Sequence, residues 1–173
     1  MVQAFLGIGG NLGYRQSNLR TVVRHLRQRV NVTAVSSLYE TEPVGFKNQP
    51  KFLNAVVAVE CDSEEPDDLH QLILEIEADL GRKRTFTNAP RTVDIDLLLF
   101  GEAQFDSDTL TVPHPRMHQR AFVMVPLSEI AADVSHPTFK RSIRELLDDL
   151  GDTSGSVTAI EGPSWVDRSP SGR

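Results

Sequence analysis

A single cysteine, Cys61, stands in the 173 residues, which excludes an internal disulfide framework and any zinc site built on thiolates. No apolar run is long enough to span a bilayer, and no basic stretch followed by a long apolar segment opens the chain. A cytoplasmic protein without membrane contact is the expectation. Neither a Gly-x-Gly-x-x-Gly fingerprint nor a P-loop lysine motif is present. Aromatic residues make up only 6% of the chain, too few on the strand-like segments for an RNA-stacking sheet. Positive charge is not spread out either. The net charge is −6, and residues 145–173 hold −4 of it as six acids against two arginines, so the body stands near −2. A non-specific nucleic-acid binder needs a broad basic face, so no nucleic-acid partner is expected. The length suits one globular domain, read as residues 1–151. Residues 152–173, rich in Gly, Ser, Thr and Pro, read as a flexible tail.

The basic residues that are present are concentrated. Arg82, Lys83, Arg84 and Arg91 place four positive charges in ten residues without an acid, and Asp94 and Asp96 follow in an apolar run. Thr92 to Phe100 alternates, with Val93, Ile95, Leu97 and Leu99 on one face and Asp94, Asp96, Leu98 and Phe100 on the other. Two aspartates two apart on a strand lie about 6–7 Å apart at Cα, near enough to share one or two magnesium ions. Carboxylates on an apolar face are costly unless a cation pairs with them. A mobile cationic loop running into such a pair suits a polyphosphate and its metal.

Upstream, Val2–Ile8 reads as a strand ending in the glycine-rich turn Gly9-Gly10-Asn11-Leu12-Gly13. Leu19, Val22, Val23, Leu26 and Val30 recur at helical spacing, with Arg20, Arg24, Arg27 and Arg29 facing water. Val30–Glu40 is β-branched and reads as a second strand. Residues 41–50 hold two prolines and a glycine and form a loop longer than a hairpin needs, a natural place for ligand contact. Phe52–Glu60 alternates cleanly, so Phe52 and Asn54 share a face, either as an aromatic platform with an amide for a flat heterocycle or as a core-edge ring and a strand-end amide. Leu69, Leu72, Ile73, Ile76 and Leu80 form a second helical stripe closed by Gly81. Glu77 lies at its margin. Further on come a short strand at 110–113, the segment His114–Phe122 with two histidines and two arginines, and two short helices over 126–132 and 143–150.

This order is β-α-β-β-α-β followed by further strands and short helices: an α+β domain with a ferredoxin-like βαββαβ core. That architecture serves enzymes, RNA binders and ligand modules alike. A non-catalytic ligand-binding module or another magnesium-dependent phosphotransferase therefore stays open on fold alone.

Several motifs narrow the choice. Gly9-Gly10-Asn11-Leu12, Tyr39-Glu40-Thr41-Glu42-Pro43-Val44-Gly45, Gln49-Pro50-Lys51-Phe52-Leu53-Asn54-Ala55, Gly81-Arg82, Pro90 to Gly101 and Val112 to Met117 together resemble the 6-hydroxymethyl-7,8-dihydropterin pyrophosphokinase family. The resemblance covers about residues 3–135. It implies transfer of the β,γ-pyrophosphoryl group of ATP to the pterin's hydroxymethyl oxygen, with release of AMP, by a monomeric enzyme of folate biosynthesis. By the same resemblance Asp94 and Asp96 hold two Mg2+ ions. Phe52 and Phe122 sandwich the pterin while Asn54, Thr41 and the Val44 backbone read its edge. Arg82 and Arg91 act on the phosphates, Asp96 shares in catalysis, and Glu77, Arg84, Leu97, Thr111, His114 and Arg120 contact ATP. The chain departs from some members at Asn88-Ala89, where they carry Trp-Gly, and at Leu74 and Thr109. Phe86 is the aromatic at hand to replace the missing loop ring.

Overall fold

A computed structural model describes residues 1–43, 48–81 and 92–168. The order is β1 (Val2–Gly10), α1 (Arg15–Arg29), β2 (Asn31–Val35), β3 (Leu38–Thr41), β4 (Phe52–Cys61), α2 (Pro66–Asp79), β5 (Asp94–Phe100), β6 (Phe105–Asp106), β7 (Thr111–Val112), α3 (Ala121–Ala131), α4 (Ile143–Asp148) and β8 (Val157–Glu161). Six strands form one sheet in the order β5-β1-β4-β3-β8, with β2 pairing the other half of β4, and every pairing is antiparallel. This is an α+β arrangement. β6 and β7 form a separate ribbon.

Each face of the sheet carries its own core. Leu6, Ile8, Leu53, Ala55, Val57 and Ile95 pack with Leu19, Val22 and Leu26 of α1 and Leu69, Ile73 and Ile76 of α2. Phe5, Val56, Ala58 and Leu98 pack on the other side with Val123, Met124 and Leu127 of α3 and Ile143 and Leu146 of α4. β4 serves both layers because its residues are apolar and buried on both faces, their side chains alternating only in direction. α4 begins with a complete capping box, in which Ser142 accepts from the Glu145 N–H and Glu145 accepts from the Ser142 N–H.

Four sequence expectations need correction. The alternation expected through β5 fails after Leu97, because a register shift opposite Phe5/Leu6 inserts one residue. Leu99 therefore joins Leu98 on the α3 side, and Phe100 joins Leu97 on the α1/α2 side. The single strand expected over 30–40 is two, broken at Ser36–Ser37. Ser36 uses its hydroxyl to accept from the Val56 N–H, a side chain standing in for a ladder bond. Arg20 is not water-facing but 5% exposed. Its Nη1 donates to Gln16 Oε1 at 3.3 Å, and Nη2 finds no hydrogen-bond partner among the described residues. The chain's C-terminal segment also packs against α1, where Arg27 pairs to Asp167.

That segment is the fourth correction. Within the flexible tail expected over 152–173, the described residues instead return to the sheet: β8 pairs with β3, and a 3-10 turn over Pro163–Asp167 carries Trp165 into the core at 0% exposure, while residues 169–173 lie outside the described residues. Its indole Nε1 donates to the Ser36 carbonyl at 2.9 Å. A segment poor in apolar residues is held here by its pairing with β3 together with the burial of Val157 and Trp165.

Trp165→Ala is expected to cost about 3–5 kcal/mol of unfolding free energy in denaturant melts, whereas Trp165→Phe, which loses mainly the indole hydrogen bond, costs on the order of 1–3 kcal/mol. An alanine variant as stable as the parent would contradict the packing described.

Candidate active site

Three adjacent strands build the floor of the site through their register. Gly9 of β1 pairs with Asn54 on β4 and with Asp94 on β5, and Gly7 pairs with Val56 and Asp96. Directly opposed residues share a face, so Asn54, Gly9 and Asp94 form one row and Gly7 and Asp96 lie in the next. With strands about 4.8 Å apart, Asn54 and Asp94 stand roughly 10 Å from each other across Gly9. A side chain at position 9 has no room, because a Cβ there would lie 2.4 Å from Asn54 Oδ1. Asn54 Nδ2 donates to Thr41 Oγ1 at 2.7 Å, and both side chains are buried. Phe52 opposes Thr41 across β3 and β4 and is 9% exposed.

Glu77 settles the position of the aspartate strand. β5 is an edge of the sheet, and its Ile95 N–H donates to Glu77 Oε2 at 2.8 Å. A buried helix carboxylate thus takes a strand-edge donor midway between Asp94 and Asp96, which are both half-buried. Two carboxylates presenting hard oxygen donors on one strand face fit Mg2+, which takes one or two protein carboxylates and completes its octahedron with substrate phosphates and water. Among the described residues no group of three or more His, Cys, Asp or Glu side chains is set out as a full metal cage.

The opposite wall comes from the segment after β7. The His114 N–H donates to the Leu98 carbonyl at 3.0 Å, and His114 Nδ1 accepts from the Arg116 N–H at 3.2 Å. Burial, with help from the Arg120 charge, pushes the His114 pKa down to about 4. The ring is therefore neutral at pH 7, with its proton on Nε2 as a donor. Arg120 precedes α3 and sets its guanidinium carbon 5.7 Å from the centre of the Phe122 ring, within cation–π range.

The mouth is braced from the β1–α1 connection. Asn11, 2% exposed, donates to Gln49 Oε1 at 2.8 Å and to the Pro50 carbonyl at 2.9 Å. Arg15 donates to Glu40 Oε2 at 3.0 Å and to the Lys51 carbonyl at 2.9 Å. Both ends of the 42–51 loop are thereby held to one turn.

These walls enclose a cavity of about 540 Å³, a size typical of small-molecule sites. Thr41, Phe52, Asn54, Glu77, Asp94 and Asp96 line it, and so do Leu97, Thr111, His114, Arg120 and Phe122. Residues chosen from five separate stretches of sequence thus meet in one place. Val44, Arg82, Arg84 and Arg91, together with Phe86 and Asn88-Ala89, lie outside the described residues. Sequence reasoning missed Gly7 and Gly9, because β1 runs on to Gly10 and these glycines belong to the strand rather than to a turn. The signal available was the pair Gly7 and Gly9, two apart on one face at the end of the strand, which marks a face kept clear. It also missed His70 and Ser107, which carry no motif and reach the cavity through the fold. No helix among the described residues is long and apolar enough to cross a membrane.

Comparison with known proteins agrees with this geometry. Residues 5–132 match the family described as 7,8-dihydro-6-hydroxymethylpterin-pyrophosphokinase (HPPK). A 2-amino-4-hydroxy-6-hydroxymethyldihydropteridine pyrophosphokinase of Bacillus subtilis is 45% identical over 133 residues, covering 76% of this chain and 79% of the relative. One of the same name from Aquifex aeolicus is 35% identical over 145 residues, covering 84% and 90%. The Plasmodium falciparum HPPK-DHPS wild-type crystal structure with pteroate superposes with a TM-score of 0.71 at 14% identity, covering 88% of this chain but only 45% of that one, a likeness of fold. With three quarters of its length inside the family match and a cavity built from the motif residues, the chain belongs to the 6-hydroxymethyl-7,8-dihydropterin pyrophosphokinase family.

Proposed function

We propose that the two substrates of this pyrophosphokinase divide the cavity at Gly9. The chain transfers pyrophosphate from ATP to the hydroxymethyl group of 6-hydroxymethyl-7,8-dihydropterin in folate synthesis. The observation that carries the division is the Asn54–Gly9–Asp94 row. Its span of roughly 10 Å suits a bicyclic pterin whose amide edge meets Asn54 and Thr41 and whose hydroxymethyl arm ends beside the aspartates. Phe52 and Phe122 take the two faces of the ring, and the backbone at Val44 completes the edge. On the other side Glu77, Leu97, Thr111, His114 and Arg120 contact ATP, joined by Arg84. Neutral His114 gives a hydrogen bond without adding charge.

In the reaction the hydroxymethyl oxygen attacks the β-phosphorus of ATP, the bond from that phosphorus to the α,β-bridging oxygen breaks, and AMP leaves while the hydroxyl proton is lost. Such a transfer needs alignment and neutralisation of charge spread over phosphate oxygens. Mg2+, as two ions in this reading, supplies Lewis-acid neutralisation of the triphosphate when bound by Asp94 and Asp96. Glu77 keeps those carboxylates in register through Ile95. Arg82 and Arg91 bring guanidinium groups to the phosphates, and the flat glycine floor lets both substrates lie against backbone. The strand order around β1 and β4 supports reading the core as ferredoxin-like. We read the protein as a single catalytic domain acting as a monomer in the cytoplasm, where ATP is made available.

Incubation with ATP, Mg2+ and the pterin is expected to yield AMP; ADP or inorganic phosphate instead, or AMP formed without pterin, would overturn the reading. Asp96→Ala should lower kcat about a thousandfold with an unchanged melting temperature. Gly9→Ala is expected to displace the Asn54 amide and raise the pterin KM on the order of tenfold, with the ATP KM little changed. Equal effects on both substrates would argue against the division at Gly9.

A further inference from the structure

One polar cluster lies outside the cavity yet joins its two walls. Glu129, on α3, reaches back ninety residues in sequence to the β2–β3 junction. Its Oε1 accepts from the Ser37 N–H at 2.9 Å and from the Tyr39 hydroxyl at 2.7 Å, while its Oε2 accepts from the Ser37 hydroxyl at 2.8 Å. Three donors on one carboxylate make a directional clamp, and charged acceptors form the stronger hydrogen bonds. Burial and the neighbouring Glu129 charge both hold Tyr39 protonated, so the donor is always present.

Each end of the clamp continues into the site. Glu129 lies seven residues, two helical turns, beyond Phe122, so the two side chains leave α3 on nearly the same face. Tyr39 lies two residues before Thr41 on β3 and directly opposes Asn54 on β4, while Thr41 opposes Phe52. The packing of Val123, Met124 and Leu127 presses α3 onto the sheet and sets its rotation about its own axis to within the breadth of that apolar stripe. The directional hydrogen bonds from Ser37 and Tyr39 narrow it further.

We infer that Glu129 is a positioning residue for the pterin: by fixing the rotation and setting of α3 against β3, it sets the gap between Phe122 on the helix and Phe52 on the sheet, the slot that takes the flat ring. The inference rests on the assignment of those two rings to the pterin. Glu129 touches neither substrate, and the nucleotide side of the cavity is built mainly on β5, β7 and α2, with Arg120 at the start of α3 its one tie to that helix.

The test is a titration of the full chain with the pterin in the presence of Mg2+ and a non-hydrolysable ATP analogue, beside a titration of the analogue alone. Glu129→Ala is expected to weaken pterin binding on the order of tenfold and to leave the analogue's Kd within about twofold, and Glu129→Gln, which keeps an acceptor oxygen, should recover most of the loss. Val22→Ala, on α1, serves as the control for general loosening, because it lowers stability from the opposite face of the sheet and should leave the pterin Kd near that of the parent. Pterin affinity unchanged in Glu129→Ala, an equal loss for the analogue, or an equal loss in Val22→Ala each overturns the inference. Phe122→Ala is measured alongside: if it binds pterin as the parent does, the slot assignment itself is wrong, whereas a weakened Phe122→Ala beside an unaffected Glu129→Ala sinks the clamp alone.

Discussion

The register between β4, β1 and β5 is the constraint on which everything else in this molecule depends. A shift of one residue along either pairing would turn Asn54 or the two aspartates onto the α1/α2 face, among leucines and isoleucines, where an amide is costly and carboxylates far more so. That penalty locks the register as firmly as the apolar cores do. Glycine at position 9 is the other half of the lock: it leaves the row between amide and carboxylate bare, so a substrate can lie against the backbone of the central strand. Fold and site are specified by the same pairings.

Much of this was legible in the sequence, and the reasons it was legible are physical. β4 reads as an apolar run because both its faces are covered, and α1 and α2 show their stripes because each packs one side against the sheet. The aspartate pair stood out because acids inside an apolar run are costly without a cation. Residues from motif stretches far apart in the chain, among them Thr41, Asn54, Asp94 and His114, line one cavity. Glu77 could be seen at the margin of a stripe, but its bond to the Ile95 N–H depends on β5 being an edge strand, which no local pattern reveals.

What was hidden was hidden for equally physical reasons. The extra residue in β5 leaves no mark on composition, since every residue from Leu97 to Phe100 is apolar and the pattern reads equally well with or without it. Gly9 looked like a turn because glycine is common in turns; only its neighbour across the strands, Asn54, explains it. Residues 157–167 looked disordered because their one large aromatic, Trp165, is surrounded by small and polar ones. In each case the information lies in a long-range contact that the local sequence does not encode.

The return of Trp165 to Ser36 also bears on how the site is closed. β3 carries Thr41, and its outer edge pairs with β8, so the strand beside the cavity is closed by a segment that lies more than a hundred residues after it. The β5-β1-β4 pairings that carry the aspartates make no use of that segment. A cut in the backbone between α4 and β8 would therefore bare a strand edge next to Thr41 and leave the aspartate strand paired as before.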